Sequence, residues 1–221
     1  MKKNSRRTVA PICLAAIVTM LMACGKESGS GSQQSTSAQE EVEGIGPSYR
    51  AQLRPLNTAV TENAVGVALW TLKGSDYVVQ LNMTNTPNNL EHFQAIHEGS
   101  ACPDEGSDKN RDGIIDSEEL KLVAGKILFP LDSNLASKST DDFSQSRANN
   151  FGNYVYWTKV ATRTLEQLYP RFQPTGKVVV VYGIDSQSVL PSTVGGVDAN
   201  KHRYIPISCG VIRATNPQKV Y

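Results

Sequence analysis

Three runs in the first half of the chain alternate between apolar and polar positions. Their period of two predicts strands over Tyr49–Leu56, Val65–Leu72 and Tyr77–Met83. Lys73-Gly74-Ser75-Asp76 separates the last two as the turn of a hairpin. Further short runs between turn signals predict strands over Leu90–His97, Lys126–Leu131, Lys177–Tyr182 and Tyr204–Ala214, the third of them almost wholly β-branched. Helical spacing enters twice. Trp157, Val160, Ala161, Thr164, Leu165 and Leu168 share one helical face, which Pro170 ends, and this aromatic stripe is expected to face the core. Ser117–Ala124 predicts a shorter helix. Many short strands with little helix predict a mainly β fold, a Greek-key β-barrel or sandwich.

Before the first strand the pattern differs. Lys2, Lys3, Arg6 and Arg7 precede an apolar stretch, Val9–Met22, too short for an ordinary span. It ends Leu21-Met22-Ala23-Cys24, which resembles a bacterial lipobox. Residues 1–23 are therefore expected to be a signal peptide, with Cys24 the lipidated N-terminus. The alternative is a plain secretory signal with Cys24 incidental. Gly25 after the cysteine favours the outer membrane of a Gram-negative envelope. Residues 24–46 are dominated by Gly, Ser and Gln and read as a flexible tether. The domain follows from Pro47 to Tyr221. Removing the leader takes four of 22 basic residues and none of the 21 acids, leaving 18 − 21 = −3. That balance, with no basic patch, argues against a nucleic-acid partner. The expected partners are the membrane, through the lipid, and an unidentified envelope or surface protein.

Asp108-Lys-Asn110-Arg-Asp112-Gly113-Ile114-Ile115-Asp116-Ser-Glu-Glu119 fits the EF-hand calcium template D-x-[DN]-x-[DN]-G-x₅-E at every defined place. Asp108, Asn110 and Asp112 supply side-chain oxygens, Gly113 the sharp turn and Ile114 its carbonyl. Asp116 binds directly or through water, and Glu119 closes the shell with both oxygens. Such an all-oxygen set suits Ca²⁺ better than a transition metal. The alternative is a plain acidic surface turn. The segment before the loop is a poor helix former, and the chain has no second such loop, so residues 107–120 read as a single inserted clasp.

Cys13 leaves with the leader and Cys24 carries lipid, so Cys102 and Cys209 remain as a pair. In an oxidising compartment they are expected to form a disulfide, with two free thiols as the alternative.

Two stretches resemble the copper–zinc superoxide dismutase family. Gly66-Val-Ala-Leu-Trp-Thr-Leu-Lys-Gly74 is followed by His92-Phe-Gln-Ala95-Ile-His97-Glu98-Gly99 and Cys102. Lys177-Val-Val-Val-Val-Tyr182-Gly183 is followed by Ile207-Ser-Cys209-Gly210-Val211-Ile212. The resemblance spans Val65 to Ala214 and implies a Greek-key barrel with Cys102 bridged to Cys209. It does not carry the family's chemistry. Ala95 and Tyr182 stand where copper-ligand histidines belong, and the acidic loop follows where the zinc histidines would be. The whole chain has His92, His97 and His202 alone. His97 is either a vestigial copper ligand, joined by His92 or Tyr182, or a buried histidine hydrogen-bonded to a neighbouring strand. His202 lies in a polar turn and is expected to be solvated. Ser192, Thr193 and Asp185 form no recognisable hydrolase motif.

Three readings follow. The first is a calcium-binding, non-catalytic envelope lipoprotein on a dismutase-like scaffold. The second is a copper-dependent redox or copper-handling protein. The third is an adhesive module whose calcium loop is incidental.

Overall fold

The computed structural model describes residues 45–61, 63–139, 141–195 and 198–215. The expected leader, Cys24 and the tether up to residue 44 lie outside the described residues. Nine strands and two short helices run in the order β1 (Ile45–Pro55), β2 (Val65–Lys73), β3 (Asp76–Thr84), β4 (Gln94–His97), α1 (Ser117–Ala124), β5 (Ile127–Pro130), β6 (Tyr154–Ala161), α2 (Thr162–Leu168), β7 (Val178–Tyr182), β8 (Pro206–Val211) and β9 (Arg213–Thr215). β1 begins two residues before the expected domain start at Pro47.

The strands form one antiparallel sheet in the order β5-β4-β7-β8-β1-β2-β3-β6, with β9 also on β1. It curls into a half-barrel, so the chain is mainly β as expected. β1, β2 and β3 make a meander that β6 extends, and β8 lies beside β1 on the other side. The hairpin turn is tight: Lys73 pairs with Asp76, and Gly74 takes a φ of +58°.

The two halves of the sheet bury differently. In β3 and β6 alternate side chains point inward, Tyr77, Val79, Leu81 and Met83 beside Tyr154, Tyr156, Thr158 and Val160. With Trp70 at their centre these form the inner core, where Tyr77, Phe129 and Phe172 meet the indole ring. By contrast β4, β7 and most of β8 are buried on both faces. Val179 and Val181 join the inner core, while Val178, Val180 and Tyr182 face outward into a second cluster with Ile115, Leu120, Ala124 and Phe143. The unbroken apolar run of β7 reflects this double cover. Burying one such valine contributes roughly 1.5–3 kcal/mol, so the acidic loop and α1 stabilise the sheet as an outer layer.

Two sequence expectations are corrected. The helix expected from Trp157 begins only at Thr162, and the preceding residues form β6. Tyr, Val, Trp and Thr at successive positions favour a pleated strand, and β6 pairs with β3 along its whole length. Trp157 therefore faces outward, 51% exposed, rather than into the core. The strand expected over Leu90–His97 is confined to Gln94–His97, because Glu91 makes only an isolated bridge to Arg147.

Candidate metal centre

The acidic loop folds around its own side chains. Asp108 accepts the N–H groups of Asp112 (3.2 Å) and Gly113 (2.9 Å), and Gly113 adopts a φ of +88°, the conformation that calls for glycine here. Asn110 Oδ1 accepts from Asp112 N–H, and Asp112 Oδ1 from Ile114 N–H. Asp116 is the N-cap of α1, taking the N–H groups of Glu118 and Glu119, and Glu119 Oε2 returns to Asp116 N–H. This capping box uses two of the expected metal ligands, so the start of the helix is set by the same residues. Glu119 Oε1 also accepts the N–H groups of Lys109 (2.7 Å) and Asn110 (3.2 Å), folding the end of the loop onto its beginning.

Three contacts from far along the chain hold this loop, and sequence reasoning missed all three. Asn57, just past β1 with a φ of +53°, accepts Ile115 N–H at 2.7 Å and donates to Ile115 C=O at 2.8 Å. Its amide thus satisfies both backbone groups of Ile115, as a neighbouring strand would, and also donates to Pro206 C=O. Thr193 Oγ1 donates to Asp112 Oδ2 at 2.6 Å, and Gly195 N–H to Asp116 Oδ2 at 2.6 Å. A Cβ at Gly195 would come 2.9 Å from that same oxygen, so the backbone needs a glycine to approach so closely. The available signal was an Asn after a strand and a Gly-rich turn, neither of which names its target.

The donor set fits a hard cation. Asp116 and Glu119 are only 3% and 7% exposed, and among the described residues no Lys, Arg or His pairs with the four expected ligand carboxylates, Asp108, Asp112, Asp116 and Glu119; Lys121 pairs only with Glu118. Burial opposes ionisation of Asp112, but Thr193, Ile114 N–H and Asn110 outweigh it and hold its carboxyl below the usual range. Asp108 keeps an unused lone pair on each oxygen, and Asp112, Asp116 and Glu119 keep one each. The Ile114 carbonyl accepts no hydrogen bond from any described residue. Even so, among the described residues no three His, Cys, Asp or Glu side chains are grouped to hold a metal ion between them. The acids are drawn instead onto the loop's own N–H groups.

Cys102 and Cys209 form a disulfide that ties the segment before the loop to β8. It spans 107 positions, a closure that contributes about 4–5 kcal/mol in the chain-entropy model.

His97 and Tyr182 lie together in the outer cluster, with Ala95 beside them. Gly125 C=O, 2.9 Å away, can only accept, so His97 Nδ1 carries the proton. Tyr182 Oη then donates to Nε2 at 2.6 Å. Burial lowers the His97 pKa, against the pull of the Gly125 carbonyl and Glu98, and burial raises that of Tyr182, so both stay neutral. Both ring nitrogens are occupied. His92 sits elsewhere, its Nδ1 2.9 Å from Tyr182 C=O and its ring stacked on Tyr154. His202 is half-buried rather than solvated, because its Nε2 donates to Ser188 C=O at 2.8 Å.

The chain matches no protein-family model, and no curated protein matches it. Among the described residues no helix is long and apolar enough to cross a membrane.

Proposed function

We propose that this protein is a calcium-binding, non-catalytic lipoprotein of the bacterial cell envelope, anchored through Cys24 and built on a superoxide dismutase-like scaffold. The observation that carries the reading is the loop itself. The four carboxylates expected to be ligands, Asp108, Asp112, Asp116 and Glu119, have no cationic side chain paired with them among the described residues, and Asp116 and Glu119 are nearly buried. Asp108, Asn110, Asp112, Asp116, Glu119 and the Ile114 carbonyl would hold Ca²⁺, which supplies the positive charge that burial of these acids calls for. At millimolar calcium outside the cytoplasm, an affinity of about 10⁻⁴–10⁻³ M suffices to fill the site. Occupancy would stabilise the outer layer by mass action. The curled antiparallel sheet and the Cys102–Cys209 bridge support the dismutase-like scaffold. The copper-handling alternative is weaker, because His97 would have to give up its bond from Tyr182 to offer Nε2 to a metal.

The test is a thermal melt of the full-length chain in neutral detergent with EDTA, calcium, copper or zinc. Calcium alone should raise the midpoint by several degrees, and Asp108→Ala or Glu119→Ala should abolish the rise. Stabilisation by copper that depends on His97 would instead favour the alternative, and no response to any ion would leave the loop an acidic turn.

A further inference from the structure

The outer face of β1 gathers charge of one sign. Ala51 and Leu53 point into the core, which leaves Arg50, Gln52 and Arg54 on the opposite, exposed face. β9 adds a third guanidinium, since Arg213 pairs directly with Arg50 across the β1–β9 ladder. Like charges placed opposite each other are destabilising. The chain nevertheless sets two arginines in register and a third four residues along the same strand.

Among the described residues no acid shares their groove. Arg50, Arg54 and Arg213 line a groove of about 520 Å³ with Gln52, Cys102 and Val211, and no acid is among its lining residues. Among the described residues none of the three forms an ion pair. Arg50 Nη2 donates to the neutral Gln52 Oε1 at 3.0 Å, which orients the side chain without offsetting its charge. Asp104 and Glu105 line a separate hollow with Arg54 and the disulfide. They would repel an anion from that side and confine it to the arginine groove.

Guanidinium groups present paired N–H donors that match the oxygens of phosphate. We propose that this groove binds a phosphate-bearing ligand. Arg50 and Arg213 take one phosphate between them, and Arg54, about 13 Å further along β1 by strand rise, takes a second anionic group. The site is independent of the calcium loop.

Calorimetric titration of the full-length chain in neutral detergent at low salt tests this, with pyrophosphate, dihexanoylphosphatidylglycerol and succinate as probes. Pyrophosphate binding that weakens on the order of tenfold in Arg50→Gln and again in Arg50→Gln/Arg213→Gln, with an unchanged melting midpoint, is the expected result. Tighter binding of pyrophosphate than of the lipid points to a soluble phosphorylated compound. The reverse order, with the same arginine dependence, points to a phospholipid headgroup. Succinate binding as tightly as both phosphate probes, equal affinity in the arginine variants, or no binding of either phosphate probe overturns the proposal.

Discussion

Thr193 Oγ1 donates to Asp112 Oδ2 across 2.6 Å, joining two positions 81 residues apart. The hydroxyl touches an expected calcium ligand on the oxygen that Asn110 Nδ2 also reaches. It therefore orients the carboxylate from outside the loop, as the partners of metal ligands do.

Thr193→Val keeps the shape and removes the donor. Calcium affinity should fall about 10–100-fold, while Thr193→Ser retains it. Calcium titration of the three proteins checks this, and equal affinities would show that the contact does not reach the ion.

The Asn57 side chain makes three hydrogen bonds, two to Ile115 and one to Pro206. Asn57→Ala leaves two carbonyls and one N–H unmet at a buried junction. Each unsatisfied group costs about 1–3 kcal/mol, so urea unfolding should show a loss of about 3 kcal/mol or more. Asn57→Asp should also destabilise, because it keeps the acceptor for Ile115 N–H and loses both donations.

Tyr182→Phe removes the O–H that meets His97 Nε2 and leaves a buried lone pair without a donor. A loss of about 1–3 kcal/mol is expected in chemical denaturation. Gly125 C=O should still hold the His97 ring in place.

Stability should fall on mild acidification. Burial lowers the pKa of both His92 and His97 in the folded chain. The unfolded imidazoles protonate at about pH 6.5, so below that pH the unfolded state binds more protons. Their contribution is complete above pH ~6.5 and is lost progressively as pH drops toward the folded values. Denaturation midpoints should decline from pH 6.5 to 5, before most carboxylates titrate at about pH 4, and His97→Gln should flatten the slope.

Reduction of the Cys102–Cys209 bridge frees a closure of 107 positions. The paired variant Cys102→Ser/Cys209→Ser should lose about 4–5 kcal/mol in urea. A negligible change would mean that residual contacts already restrain the unfolded chain.

The sequence by itself determined what rests on neighbours a few residues apart. The donor spacing from Asp108 to Glu119, the helix capped by Asp116 and the β2–β3 hairpin all follow from local chemistry. The short β-branched runs likewise predicted a mainly β chain. Only the tertiary structure decided which period β6 obeys: a helical period would place Trp157 and Val160 on one face, and the ladder to β3 sends them to opposite faces. It also chose Asn57, Thr193 and Gly195 as the residues that hold the loop, and it closed His97 onto Tyr182, 85 positions away. A hydrogen bond across that distance leaves no periodicity in the chain, because its geometry exists only once the sheet has curled and brought the two ends together.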